Sequence, residues 1–145
     1  MQILKIKTKN RLLGNYGEKQ ARRFLRRNGY RIIKKNFVAD NNEIDIIASD
    51  KETLAFVEVK TRTVDYENPN EPRPSSSVDA KKQRGIIKAA RFYAAYNPTN
   101  KKKRFDIIEV YVNNKNGKYS VAEIKYLKGT FNMNTAYAPT ERTKR

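Results

Sequence analysis

The sequence predicts an α/β sandwich, with helices flanking a mixed sheet of about five strands. Three observations support this fold class. A basic amphipathic segment near the N-terminus has helical periodicity, three segments with strand composition follow it, and a second helical segment precedes two further strands. The predicted order is therefore α-β-β-β-α-β-β. A chain of 145 residues has room for one such domain with one core.

The first helix is predicted over residues 12–28. At about 100° per residue, its apolar and small side chains fall on one side and its cations on the other. Asn28 and Gly29 then form a helix stop. The side chains predicted to face the core are Leu13, Gly17, Ala21, Phe24 and Leu25. Residues 1–10 are interpreted as a basic N-terminal extension and residues 11–128 as the domain.

Three strands are predicted over residues 30–38, 43–49 and 53–61, the first less regular than the others. A short polar turn at residues 50–52 joins the second strand to the third. Both of these strands are apolar on both faces for most of their length. That pattern is typical of central strands covered on each side.

A loop is predicted over residues 64–76, because this segment contains three prolines, two serines and several acidic residues. Ser76 or Ser77 is expected to cap the second helix, which is predicted over residues 78–96. Asn97-Pro98 ends that helix. Its predicted inward side chains are Ile86, Ala90, Tyr93 and Ala94.

The last two strands are predicted over residues 105–113 and 119–127. They are expected to form a hairpin across a turn that contains Asn116-Gly117. Residues 129–145 are polar and have no apolar pattern, so this segment is predicted to be a disordered basic tail.

The net charge points to a polyanionic partner. The chain has 32 Lys and Arg against 15 Asp and Glu, a formal charge of +17. The central domain stays strongly positive when the basic ends are left out, so nucleic acid is the favoured partner. An anionic membrane surface is the weaker alternative, because no strongly amphipathic apolar stretch accompanies the charge.

Composition also excludes several kinds of chemistry. The chain has no cysteine and no histidine. Disulfides, thiolate zinc sites, imidazole ligands and histidine bases are therefore excluded. No apolar run approaches the roughly 18 residues of a membrane span. Charges near the N-terminus interrupt any secretory apolar segment, which predicts a cytoplasmic protein.

Three charged residues interrupt the two most apolar strands: Asp45, Glu58 and Lys60. Strand alternation places Glu58 and Lys60 on one face, and the short turn places Asp45 opposite Glu58 or one diagonal away. Two carboxylates this close repel each other, and a hard cation such as Mg²⁺ or Mn²⁺ would relieve the repulsion. An ordinary ion pair of Lys60 with either acid is the alternative.

Glu18 is a further candidate because it lies at the edge of the apolar stripe of the first helix. From there its carboxylate can reach the same site from the helix side. The alternative is a surface pair with Arg22, four residues later on the helix.

Several short motifs between residue 13 and about residue 127 together closely resemble the YraN family, a widespread bacterial family in the PD-(D/E)XK nuclease superfamily. No single motif is specific. In chain order they are Gly14-x-x-Gly17-Glu18-x-x-Ala21, Leu25-x-x-x-Gly29-Tyr30, Asn36-Phe37, Glu43-Ile44-Asp45-Ile46-Ile47-Ala48, Phe56-Val57-Glu58-Val59-Lys60-x-Arg62, Val78-x-x-x-Lys82 and Arg104-Phe105-Asp106.

This resemblance implies a restriction-endonuclease-like core and a metal site formed by Asp45, Glu58 and the backbone carbonyl of Val59. It also implies that Lys60 is the catalytic lysine. The arrangement is similar to archaeal Holliday-junction resolvases, in which a helix glutamate matching Glu18 also serves the metal. Two positions depart from the pattern: Ile44 replaces the proline of the superfamily motif, and Asn42 replaces a usual glycine.

The predicted function is that of a Mg²⁺-dependent endonuclease acting on DNA, with branched or junction DNA in repair or recombination as an option. The alternatives are a nucleic-acid-binding protein that keeps the fold without cutting, and an RNA-directed nuclease. A homodimer is an option because junction-cutting relatives are dimers. The residues predicted to contact nucleic acid are Arg62, Lys19, Arg22, Arg26, Lys81, Lys82 and Gln83; a solvated Gln83 is the alternative.

Overall fold

The computed structural model of the protein describes residues 2–65, 67 and 78–132. It confirms the predicted order of elements and a five-stranded mixed sheet with strand order β1-β2-β3-β4-β5. The elements are α1 (Gln2–Arg27), β1 (Arg31–Ala39), β2 (Asn42–Ser49), β3 (Thr53–Thr63), α2 (Ala80–Tyr96), β4 (Lys102–Lys115) and β5 (Lys118–Phe131).

The connections follow from the strand directions. Strands β1, β2 and β3 pair antiparallel, as do β4 and β5, whereas β3 and β4 are parallel. Parallel neighbours need a crossover, and α2 provides it. Helix α2 packs on β1 and β2, while α1 packs mainly on β3, β1 and β4. The two helices bury separate apolar clusters, so the sheet is covered from both faces.

Helix α1 begins at Gln2, ten residues before the predicted start, so residues 2–11 are helical as well. The prediction began where the apolar stripe begins. The preceding residues contain no proline or glycine, and nothing in them stops a helix.

Gly17 lets α1 approach β3 closely, because a Cβ at this position would collide with the Thr61 side chain. This contact fixes the neighbouring Glu18 close to the sheet.

Helix α2 is capped by Asp79, whose side chain accepts a hydrogen bond from the Lys82 backbone N–H at 2.8 Å. The sequence prediction placed this cap at Ser76 or Ser77, which lie outside the described residues. Serine and aspartate are similarly good caps, so the sequence did not distinguish between them. Most of the predicted loop over residues 64–76 also lies outside the described part of the chain.

The C-terminal hairpin is longer than predicted. Asn116 and Gly117 form its two-residue turn with positive φ angles of 54° and 84°, as the sequence predicts. Strand β5, however, continues to Phe131, whose ring stacks on Phe105 with centroids 4.7 Å apart. The prediction of a tail from residue 129 is therefore wrong for its first three residues, and residues 133–145 lie outside the described chain.

Within the residues that the structure describes, no helix is long and apolar enough to cross a membrane.

Candidate metal and nucleic-acid site

The candidate site lies where two paired strands separate. Strands β2 and β3 pair from Ser49↔Leu54 to Ile46↔Val57. Beyond that point β2 continues beside β1, and β3 continues beside β4. The same register, extended by one residue, places Asp45 opposite Glu58. These two carboxylates therefore flank the start of a fork in the sheet.

Asp45 occupies the fork through its side chain. Its Oδ2 accepts a hydrogen bond from the Val59 backbone N–H at 2.8 Å. Ile44 and Ile46, two residues apart, belong to the apolar clusters on opposite faces of the sheet, so strand alternation breaks at Asp45. The Asp45 carboxylate thus accepts the hydrogen bond from β3 that a backbone carbonyl of β2 would accept if the two strands stayed paired. Its other oxygen is available to a ligand between the separating strands.

The Glu58 carboxylate is held by a lysine of helix α2. Its carboxylate is only 7% exposed, and its Oε1 lies 2.6 Å from Nζ of Lys82 on α2. The sequence predicted that Lys82 contacts nucleic acid. The structure places Lys82 in contact with a site carboxylate, with 55% of its side chain still exposed. A protein cation therefore partly balances the acidic pair.

A cleft of about 230 Å³ opens at the fork. Its lining combines both carboxylates with Lys82 and with the turn before β2. Gly85 shapes the wall, because a Cβ there would collide with Oδ1 of Asn42. The lining residues are Asn41, Asn42, Glu43, Asp45, Glu58, Lys82 and Ile86.

The electrostatics of the cleft reflect crowded negative charge. Burial, followed by repulsion from Glu58, raises the pKa of Asp45 to about 8, although the Val59 N–H and Lys82 act against this shift. Burial also raises the pKa of Glu18, and Glu43 and Glu58 raise it further. The site therefore disfavours several ionised carboxylates at once, a state that a bound cation would stabilise.

Glu18 is connected to the edge of the site by a bridging residue, Asn36. With its amide nitrogen turned toward the carboxylates, Asn36 donates to Glu18 Oε2 at 3.3 Å and to Glu43 Oε1 at 3.2 Å. The flanking pairs Lys35↔Ile46 and Phe37↔Ile44 place Asn36 across from Asp45. Sequence reasoning gave no role to Asn36 or Glu43. Both residues occur in the family motifs, and this occurrence was the only feature of the sequence that pointed to a role for them.

Lys60 follows Glu58 on the same strand. Burial lowers the pKa of Lys60, and the nearby cations Arg62 and Lys82 lower it further, while Glu58 and Glu109 oppose the shift. Glu109 pairs with Lys60 across the β3–β4 ladder and accepts a hydrogen bond from the Tyr111 hydroxyl at 2.8 Å. Within the described residues, Nε of Arg62 is buried without a hydrogen-bond partner.

The other residues predicted to contact nucleic acid are not gathered at one surface. Lys19 and Arg26 are exposed on α1, and Lys81 is exposed on α2, on the opposite side of the sheet. Arg22 is half-buried near Glu18 and lowers the pKa of that glutamate. Gln83 donates through Nε2 to the Val78 carbonyl at 2.7 Å, which fastens the start of α2.

The oxygen atoms of the cleft are of the kind that a divalent cation needs. Asp45 and Glu58 supply carboxylate oxygens, and neither histidine nor cysteine occurs in the chain, so the set suits a hard ion. Across the part of the chain that the structure describes, no group of three or more acidic side chains is arranged to hold a metal. An ion here would therefore need backbone or water oxygens as well, and Glu18 is not a direct third ligand in this arrangement.

The fold and the cleft define an α/β protein with an acidic site at a fork in its sheet. The chain belongs to the uncharacterised protein family UPF0102, whose sequence profile matches residues 17–110. This is the YraN-like family that the motifs resemble, so the predicted family membership is confirmed. The matched segment contains Glu18, Asp45, Glu58 and Lys82.

Individual relatives agree with this assignment. A UPF0102 protein of Caldanaerobacter subterraneus subsp. tengcongensis is 45% identical over 108 residues, covering 74% of this chain and 85% of the relative. A UPF0102 protein of Caldicellulosiruptor bescii is 40% identical over 121 residues, covering 82% and 96%. A UPF0102 protein of Clostridium perfringens is 38% identical over 129 residues, covering 88% and 100%.

Proposed function

We propose that the protein is a metal-dependent phosphodiesterase that cuts nucleic acid, with DNA as the favoured substrate. The observation that carries this proposal is the position of Asp45 and Glu58. Both carboxylates line one open cleft at the fork of the sheet, and Lys60 follows on the same strand. This set of groups is suited to phosphate ester hydrolysis.

Asp45, Glu58 and the Val59 carbonyl would hold Mg²⁺ or Mn²⁺. When bound, such an ion polarises a phosphate oxygen and lowers the pKa of a coordinated water. The chain itself provides the remaining chemistry. Because the pKa of Lys60 is lowered, more of this side chain is in the neutral amine form that can accept a proton than for an ordinary lysine, and its cationic form can pair with a phosphate.

Substrate binding is supported by the net charge of the chain and by Arg62. The net charge of +17 favours a polyanion. Arg62 lies two residues beyond Lys60 on the same face of β3, and its side chain is partly exposed. A guanidinium in this position can bind a phosphate of the substrate backbone. Branched or junction DNA is the proposed substrate form, in line with the resemblance to resolvases.

Cleavage assays with matched variants test this function. Asp45→Asn and Glu58→Gln remove charge with little change in shape, and both should abolish Mg²⁺- or Mn²⁺-dependent cleavage of branched, single-stranded or duplex DNA. Glu52→Gln is the control, since Glu52 is an exposed acid in the turn between β2 and β3. If wild type cleaves and both site variants retain full activity, the proposal is wrong.

A second candidate is a nucleic-acid-binding protein that does not cut. The contact between Lys82 and Glu58 supports it, because a protein cation already occupies one carboxylate. Wild type that binds branched DNA but cleaves no substrate with either metal would favour this candidate. Competition between matched DNA and RNA ligands at one salt concentration would separate a DNA-directed protein from an RNA-directed one.

A further inference from the structure

The outer face of α2 carries an exposed aromatic pair. Phe92 is 50% exposed and Tyr96 is 74% exposed. Among the described side chains, they are the only aromatic members of the exposed large hydrophobic residues. Their ring centroids lie 4.9 Å apart with an angle of 42° between the planes. Water therefore reaches a small platform formed by these two rings.

Cations precede this platform on the same face of the helix. Arg84 and Lys88 are exposed and lie at successive steps of four residues before Phe92 and Tyr96. Steps of four place all of these side chains along one stripe of a helix. Lys81, also exposed, lies near the start of this stripe. The α2 stripe, defined as Lys81, Arg84, Lys88, Phe92 and Tyr96, is thus basic at one end and aromatic at the other.

The basic end of the α2 stripe lies beside the candidate site. Lys82, in the first turn of α2, contacts Glu58 at 2.6 Å. Phe92 lies ten residues further along the same helix, a distance of about 15 Å at about 1.5 Å rise per residue. A chain leaving the cleft along α2 would meet the cations first and the rings within the length of a few nucleotides.

The chemistry of the stripe matches an unpaired nucleic-acid strand. Proteins bind single strands by combining cations for the phosphates with aromatic rings on which bases stack. The bases of a duplex are already stacked on both faces and offer no free surface to a ring. A protein partner fits less well. The exposed parts of the two rings amount to roughly 250 Å², whereas each partner in a stable interface buries about 800 Å².

We infer that the α2 stripe is a binding track for single-stranded nucleic acid, with phosphates on its cations and at least one base stacked on the Phe92–Tyr96 pair. The inference rests on the proposed function and specifies its substrate class. The preferred substrate has an unpaired strand next to the cut site, as a branched molecule with a single-stranded arm has.

The test measures binding without cleavage, using fluorescence anisotropy of a labelled oligothymidylate and of a matched duplex with EDTA present. The double variant Phe92→Ala/Tyr96→Ala should bind the single strand between about fivefold and a hundredfold more weakly, and the duplex within about twofold of wild type. Leu12→Ala is the matched control, because Leu12 is an exposed apolar residue on the other helix. It should bind both ligands as wild type does.

Two further variants separate stacking from other contributions. Tyr96→Phe keeps the ring and should retain single-strand affinity, whereas Tyr96→Leu keeps apolar area without a ring and should lose it. Lys88→Ala should reduce the slope of the logarithm of affinity against the logarithm of salt concentration by about 0.7 for a single strand.

The possible outcomes distinguish this inference from the proposed function. If wild type binds neither ligand, the nucleic-acid function itself is wrong, and the inference falls with it. If wild type binds the single strand and the double variant binds it equally well, only the inference is overturned. Light scattering gives a further check: a wild-type dimer that the double variant converts to a monomer would assign the rings to a protein interface and overturn the track.

Discussion

Replacing Asp45 by asparagine should stabilise the protein at neutral and alkaline pH when no divalent cation is present. The pKa of Asp45 is raised from an ordinary value of 3.8 to about 8 in the folded protein. Below the ordinary value both folded and unfolded chains hold the proton, and the carboxyl costs nothing. As the pH rises from about 4 to 8, the unfolded chain releases its proton first, so the folded state loses stability. Above about 8 the loss is constant.

The size of this effect follows from the same values. At about 1.4 kcal/mol for each tenfold change, the rise of the pKa from 3.8 to about 8 corresponds to roughly 6 kcal/mol. Movement of Lys82 and entry of water reduce this cost, so Asp45→Asn should gain about 2 kcal/mol or more at pH 8. The asparagine oxygen can still accept the hydrogen bond from the Val59 N–H, so the variant removes charge rather than the contact.

Urea denaturation at pH 5, 7 and 8.5 with EDTA measures the difference in the free energy of unfolding between variant and wild type. That difference should grow with pH. Asp50→Asn is the control with opposite sign: backbone N–H groups of Glu52 and Thr53 lower the pKa of Asp50, so its carboxylate stabilises the fold at neutral pH and loses this effect as the pH falls. An equal gain for Asp45→Asn at every pH, or a loss at pH 8.5, would show that the pKa of Asp45 is not raised in the folded protein.

Three further substitutions test how the fold positions the site. Gly17→Ala places a Cβ against the Thr61 side chain and should cost about 1–3 kcal/mol in urea denaturation; an unchanged midpoint would contradict the close packing of α1. Tyr126→Phe removes a hydroxyl that donates to buried Asp106 and should cost about 1–3 kcal/mol by thermal denaturation. Asp79→Ala removes the cap of α2 and should cost about 1 kcal/mol, with Asp79→Ser retaining most of the stability.

The position of Asp45 opposite Glu58 was predictable because it depends on local geometry. The turn over residues 50–52 is short, and few registers of the hairpin are compatible with it. The hairpin adopts one of these registers, with Ser49 paired to Leu54. Helix α1 and strand β5 were predicted too short for a different reason. Polar residues interrupt the apolar pattern near their ends, and the prediction relied on apolar periodicity to find element boundaries.

The contact of Lys82 with Glu58 was not predictable from the sequence. It joins two elements across the long connection between β3 and α2, and its formation depends on how α2 lies over the sheet. Lysines on exposed helix faces are usually solvated, which explains why Lys82 was assigned to nucleic acid. Asn36 was missed because its φ angle of 51° breaks the strand pattern around it. A positive φ turns the side chain away from the position that simple alternation predicts.

A second buried acid in the same sheet shows what an ordinary structural carboxylate looks like here. Asp106 is 1% exposed, and within the described residues it accepts hydrogen bonds from Arg104, from the Tyr126 hydroxyl and from the Gly129 N–H. Its charge and its lone pairs are satisfied by the protein, as a stable buried acid requires.

The carboxylates of the cleft are satisfied to a smaller extent. Within the same described residues, Asp45 accepts one backbone hydrogen bond and Glu58 contacts the ammonium group of Lys82, which is itself half-exposed. Each carboxylate has two oxygens that can accept several bonds. A carboxylate bonded as fully as Asp106 would have few lone pairs left for a ligand. The cleft keeps carboxylate oxygens free beside a half-exposed cation, which is the property that the proposed metal site requires.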